Sequence, residues 1–240
     1  QSGFLRNLII RNTGSGRVMV IVVFFMDERD RINGLLEYLR SEFPQITSLY
    51  YIVNTKKNDS LADQEPVLFS GDDHLLEEMG GLKFRIGPKS FYQTNTGQAK
   101  RLYMTAMEMA GLTGNEVVYD LYTGTGTIAC YVAGKAKKVV GIEYIDEAVQ
   151  DAVINSRINN IGNTEFYAGD IRLLLNEKFF EEKGKPDVII TDPPRAGMHG
   201  DVVDQILAAN PAKIVYISCN PSTQARDAGL MSEKYKVTAV

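Results

Sequence analysis

Glu116-Val117-Val118-Tyr119-Asp120-Leu121-Tyr122-Thr123-Gly124-Thr125-Gly126-Thr127-Ile128-Ala129 passes within 14 residues from the composition of a buried strand to that of a helix start. Val117, Val118, Tyr119 and Leu121 predict a strand over 116–121. Gly124 and Gly126 lack Cβ atoms, so the backbone there can turn sharply and approach a ligand, and the helix that follows offers free N–H groups at its start. The same pattern also satisfies the Gly-x-Gly-x-x-Ala form of a dinucleotide site. A glycine turn serving only the backbone is an equally good reading.

Outward from this stretch, helix and strand patterns alternate from Gly97 onward. Strands are predicted at 116–121, 138–143, 164–167, 187–191 and 213–218, with helices at 97–110, 128–133, 146–159, 173–182 and 201–209. Such alternation implies the α/β class, a mainly parallel sheet with helices on both faces. Upstream, the chain is β-rich from Phe4 to about Lys89. Segments 5–11 and 18–25 flank Asn12-Thr13-Gly14-Ser15-Gly16, a hairpin turn, and 49–53 reads as another strand. Leu35, Leu36 and Leu39 recur at helical spacing after Asp27 and Asp30, which are capping candidates, and before Pro44. Two domains are expected: 1–89, a small α/β layer in which nothing points to catalysis, and 90–240. Segment 236–240 reads as a strand cut short. With an opening Gln1-Ser2-Gly3 that lacks Met, the chain is expected to be a fragment.

With 240 residues, 44% hydrophobic and 23% charged, the chain can bury a core and is neither disordered nor fibrous. No apolar run approaches the roughly 18 residues of a membrane span. A formal charge of −4 denies the chain an overall basic field that would announce nucleic acid by itself. Two cysteines, Cys130 and Cys219, without a secretory signal, point to a reducing cytoplasm and cannot make a four-thiolate metal site. No metal is expected.

In a doubly wound sheet the ligand sits beyond the carboxyl ends of the strands, so the residues after each strand are the ones to read for chemistry. Glu143, 17 residues past Gly126, can accept both hydroxyls of an adenosine ribose. It can also be an acid opening the next helix, but its place after the second strand favours ribose. Asp170 can reach an adenine amino group or cap the following helix, with equal weight. Asp192-Pro193-Pro194-Arg195-Ala196-Gly197 has two prolines that stiffen the strand exit and fix Asp192 and Arg195. The plainer reading is a proline turn with a buried Asp–Arg pair. After the fifth strand, Ser218-Cys219-Asn220-Pro221 puts a thiol at the top of the sheet, where Arg195 nearby would favour the thiolate that attacks. Cys130, inside an apolar helix, is read as a small buried hydrophobe. His199 is read as a cap of the next helix in preference to a site residue, and His74 is given no role.

Asp120 to Thr127, Asp192 to Gly197 and Ser218 to Asn220, in that order and with Phe91-Tyr92-Gln93-Thr94-Asn95 upstream, resemble the RNA uracil-5 methyltransferases that use S-adenosylmethionine. The likeness covers roughly residues 85–240, and Arg195-Ala196-Gly197 looks like the branch acting on 23S ribosomal RNA. The resemblance implies a Rossmann-like methyltransferase fold with 90–240 as catalytic domain. Cys219 would be the nucleophile adding to uracil C6. Gln93 and Asp192 would hold the uracil edge and border the cofactor, which Tyr122, Gly124, Gly126, Thr127, Glu143 and Asp170 would line. Arg195 would complete the catalytic set. Thr127 stands where some relatives carry Asn. The family's proton-abstracting Glu lies beyond the fifth strand, and this chain ends before it. The N-terminal RNA-binding barrel and the iron–sulfur cysteines that some relatives carry are expected to lie outside this fragment, and the electrostatic grip on RNA is expected there. The expected partner is RNA, ribosomal in preference to transfer RNA, its target base flipped from the stack, with no membrane and a monomeric state.

Other classes make different demands. A nicotinamide-dependent oxidoreductase would use the glycine turn and Glu143 but leave Cys219 and Asp-Pro-Pro-Arg without work. An amino-group methyltransferase would place an aromatic residue where Arg195 stands. A non-catalytic RNA-binding module would be indifferent to loss of Cys219.

Overall fold

The computed structural model describes residues 3–58, 60–61, 63–93 and 95–240. The chain forms two compact units, Gln1–Tyr92 and Gln93–Val240. Among the described residues no helix is long and apolar enough to cross a membrane.

In the first unit, β1 (Leu5–Asn12), β2 (Val18–Phe24), β3 (Ile46–Val53) and β4 (Val67–Gly71) form a sheet in the order β1-β2-β3-β4. The hairpin between β1 and β2 forms as expected, closed by Thr13 N–H to Arg17 O at 3.0 Å with Gly16 at φ +82°. The β2–β3 pair is parallel and is bridged by α1 (Arg29–Glu42). Period-two alternation makes β2 feed two cores. Val20, Val22 and Phe24 pack with Ile32 and Leu36 of α1, while Met19, Ile21 and Val23 pack with Leu75 and Ile86. Those last two residues belong to the antiparallel pair β5 (Leu75–Met79) and β6 (Leu82–Ile86), so the sheet is covered on both faces. Neither Asp27 nor Asp30 caps α1. The N-cap is Glu28, without a side-chain capping bond, and Asp30 lies in the first turn.

The second unit opens with α2 (Thr96–Ala110), started by the Asn95 side chain, which accepts from Gln98 N–H at 3.0 Å. Then β7 (Val117–Leu121), α3 (Thr127–Ala133), β8 (Lys138–Glu143), α4 (Asp146–Ile158), β9 (Thr164–Ala168), α5 (Ile171–Leu174), α6 (Glu177–Lys183), β10 (Val188–Thr191), α7 (Gly200–Ala209), β11 (Lys213–Tyr216) and α8 (Pro221–Leu230) follow. The five strands are parallel, in the order β11-β10-β7-β8-β9. Tyr119 and Leu121 of β7 face a core shared with Phe179, Phe180, Val203 and Ile206 of α6 and α7. Residues of opposite parity point to α3, where Asp120 accepts from Ala129 N–H.

Two expectations fail in this unit. The helix expected over 173–182 is split: Asp170 caps α5, Leu175 is buried, and Asn176 starts α6 by accepting from Phe179 N–H at 3.0 Å. Segment 236–240 forms no strand. It is exposed and has no ladder partner, without which extended backbone is not a sheet strand.

Candidate functional site

The strand order puts a switch point between β7 and β10, because the chain winds outward through β8 and β9 and then returns to the other side of β7. In an open α/β sheet the crevice at such a point receives the ligand. The register pairs Leu121 with Thr191 and Ile142, and Thr191 with Tyr216. All the exits therefore lie at one end of the sheet. Tyr122, Gly124, Gly126, Thr127, Glu143, Asp170, Asp192, Arg195 and Cys219 are gathered there from five separate segments.

The turn after β7 is held from within. Asp120 is fully buried, and its Oδ2 accepts from Thr123 Oγ1 at 2.5 Å and from Ala129 N–H at 3.0 Å, spanning the turn from strand to helix. Among the described residues its Oδ1 has no hydrogen-bond partner. Burial, with the negative charge of Asp192 adding, pushes this carboxyl up to about 7. Buried Asn155 of α4 donates to Thr125 O at 3.0 Å. Tyr122 has φ +62°, an uncommon conformation for a bulky side chain. The two glycines differ. A Cβ on Gly126 would lie 2.8 Å from Ala152 Cβ, whereas one on Gly124 would meet nothing within 4 Å. Gly126 serves packing of helix on sheet, and Gly124 leaves backbone open.

Glu143 accepts from Gly124 N–H at 3.0 Å through Oε2 and from Tyr144 and Ile145 N–H at 2.9 and 3.1 Å through Oε1. It ties the glycine turn to the exit of β8. Asp170 caps α5 and is bound to Arg172, whose Nε donates at 3.0 Å; that bond holds its carboxyl below the ordinary range. Thr127 is buried with its hydroxyl 3.3 Å from that of Thr125. His199 caps α7, accepting from Asp201 N–H at 3.2 Å. Gln93 is half-buried and lies beside Tyr103 of α2, which sequence reading passed over. Thr94 lies outside the described residues.

Beyond β10, Asp192 is half-buried and burial pushes its carboxyl up to about 6. Among the described residues Asp192 and Arg195 do not pair, and Arg195 is exposed, so the buried Asp–Arg pair is not formed. Beyond β11, Cys219 is exposed and Cys130 is buried, its thiol pushed up to about 12 by burial. Asn220 Nδ2 donates to Arg195 O at 3.1 Å, joining the two loops beside the exposed thiol. The arrangement offers an exposed sulfur, a carboxyl raised by burial and an open glycine backbone at one end of the sheet.

The family model described as tRNA (Uracil-5-)-methyltransferase matches residues 71–240. The chain belongs to this family. An uncharacterized RNA methyltransferase of Bacteroides thetaiotaomicron is 57% identical over 243 residues, matching 100% of this chain and 54% of its own length. One of Porphyromonas gingivalis is 57% identical, matching 100% of this chain and 52% of its own. The chain thus spans about half the length of the curated relatives it matches. Pyrococcus abyssi tRNA (uracil-54, C5)-methyltransferase in complex with S-adenosyl-L-homocysteine has a similar structure, with a TM-score of 0.77 at 31% identity over 95% of this chain and 54% of that one.

Proposed function

We propose that this chain carries S-adenosylmethionine-dependent methylation of C5 of a uridine in RNA, with Cys219 as nucleophile and 23S ribosomal RNA as substrate. The observation that carries the reading is an exposed cysteine beyond β11, at the same sheet end as an open glycine turn. Family membership narrows the chemistry to uracil C5.

The cofactor fits the residues present. Gly124 leaves room for close approach, and Glu143 makes three hydrogen bonds, against about four lone-pair sites on a carboxylate, so it retains capacity to accept. Tyr122, Gly126, Thr127 and Asp170 would border it, with Gln93 and Asp192 between it and the base. When bound, S-adenosylmethionine supplies the methyl group on a sulfonium, an electrophile that C5 of uracil is too weakly nucleophilic to use unaided.

Cys219 supplies the missing electron density. Its thiolate bonds to C6 and the electron pair of the C5–C6 double bond becomes an enolate, whose C5 accepts the methyl group. A base then removes the C5 proton, the double bond re-forms and the Cys219 sulfur leaves. Gln93 and Asp192 orient the uracil edge, and Arg195 offers positive charge near the thiolate.

The ribosomal assignment is supported by Arg195-Ala196-Gly197. Transfer RNA is the second reading, favoured by the likeness to the Pyrococcus abyssi enzyme, whose substrate its name states. Calorimetric titration with S-adenosylmethionine and with NAD tests the cofactor: heat with the first alone is expected, and heat with NAD alone would replace the methyltransferase reading by an oxidoreductase. Mapping of 5-methyluridine in ribosomal and transfer RNA from cells lacking the gene decides the substrate.

A further inference from the structure

We infer that Arg226 and Asp227 of α8 are positioning residues that hold the loop from Asp192 to Met198 against the Cys219 turn and so set where the nucleophile stands. The inference rests on the Cys219 reading above. Asp227 is fully buried, and the hydrogen bonds of its side chain run to the loop after β10, to the end of β11 and to Arg226. Its Oδ2 accepts from Met198 N–H at 2.8 Å and from Tyr216 Oη at 2.7 Å, one partner on each loop or strand end. Its Oδ1 accepts from Arg226 Nε at 2.8 Å. The guanidinium so oriented donates through Nη2 to Ala196 O and Met198 O, both at 3.1 Å.

Gly197 records how tightly helix and loop meet. Its φ is +79°, and a Cβ there would stand 2.6 Å from Arg226 Nη2 and 2.7 Å from Asp227 Oδ2. Nearer the thiol, Asn220 and Thr223 both donate to Arg195 O, at 3.1 and 3.3 Å. The loop that carries Asp192 and Arg195 is thus gripped at the carbonyls of residues 195, 196 and 198 and at one N–H by side chains of a single stretch, 220–227, that begins next to Cys219. The Arg226 side chain is 51% exposed, but its loss leaves Oδ1 of the fully buried Asp227 side chain without its partner, which lowers stability. Its loss also changes the geometry of the loop, and a displacement of about 1 Å at a reacting centre lowers rates by as much as 100-fold.

The test is the rate of covalent trapping on transfer and ribosomal RNA transcribed with 5-fluorouridine, in the presence of S-adenosylmethionine. Fluorine at C5 leaves no proton to remove, so the Cys219–C6 bond persists after methyl transfer. Arg226→Ala should trap about 10- to 100-fold more slowly than the unaltered protein, with cofactor affinity essentially unchanged although the melting temperature falls. Arg226→Lys, which can reach one carbonyl but lacks the planar fork, should recover part of the rate. Asp227→Asn, which keeps an acceptor for Met198 N–H, should fall between the two. Trapping at the unaltered rate in Arg226→Ala and Asp227→Asn overturns the inference. So does a slow rate matched by an equal loss of cofactor affinity, which would make both residues merely structural. Absence of any trapped complex with the unaltered protein would instead remove the Cys219 reading, and this inference with it.

Discussion

The turn after β7 and the paired loops after β10 and β11 occupy the same end of one sheet, yet they are built in opposite ways. The β7 turn is fixed from three elements: by buried Asp120 of the strand, by buried Asn155 of α4 and by the half-buried carboxylate closing β8. The loops beyond β10 and β11 are held by one helix, α8, through a half-exposed arginine, and they present an exposed thiol. The difference teaches that the crevice has a rigid side suited to an invariant cofactor and a presented side suited to a reacting base. If that division is real, substitutions on the two sides separate in their effects.

The largest separation is expected from Cys219→Ala. Covalent complex with RNA should disappear, while calorimetric affinity for S-adenosylmethionine stays within about twofold; a parallel loss of cofactor affinity would merge the two sides. Next comes Gly126→Ala. A methyl group meeting Ala152 at 2.8 Å from a residue at φ +76° combines overpacking with backbone strain, roughly 3 kcal/mol in all, and thermal melting should fall together with cofactor binding. Gly124→Ala at φ +54° opens onto empty space, so strain alone applies, roughly 1 kcal/mol. Melting should change little and cofactor affinity should drop about tenfold, because the new methyl occupies the path of approach.

A pH dependence also belongs to the rigid side. The folded chain holds the Asp120 proton up to about 7, against an ordinary value of 3.8. Across that window the native state binds more protons than the unfolded one, so stability declines as pH rises from about 4 to about 7. Asp120→Asn, which keeps an acceptor for Thr123 and Ala129, should flatten that slope in denaturant titrations taken at several pH values. An unchanged slope would assign the titration to another group.

Much of the architecture was readable because the hydrophobic period changes from two to helical and back with punctuation at each step. The alternation after Gly97, the hairpin at Thr13 to Arg17 and the His199 cap all stand as read. The sheet order was not readable, since no local pattern states on which side of β7 a returning strand will pair. The ribbon of β5 and β6 did carry a signal that was passed over: Gly80-Gly81 separates the two strands and both residues have positive φ, +63° and +84°. So did α8, announced by Asn220 and Pro221 as cap and first helical residue. Missing α8 hid Arg226 and Asp227, whose grip on the loops depends on tertiary contact and leaves no trace in spacing. Asp120 was quoted within the motif, but only burial reveals why its carboxyl differs from an ordinary one.

The central claim is that one sulfur attacks the base, and peptide mapping of the trapped complex addresses it most directly. After reaction with 5-fluorouridine RNA and S-adenosylmethionine, nuclease and protease digestion followed by mass spectrometry should find a methylated fluorouridine nucleotide on the peptide that contains Cys219. Methylated RNA formed by the protein without any covalent complex, or the nucleotide attached to another residue, would contradict the account.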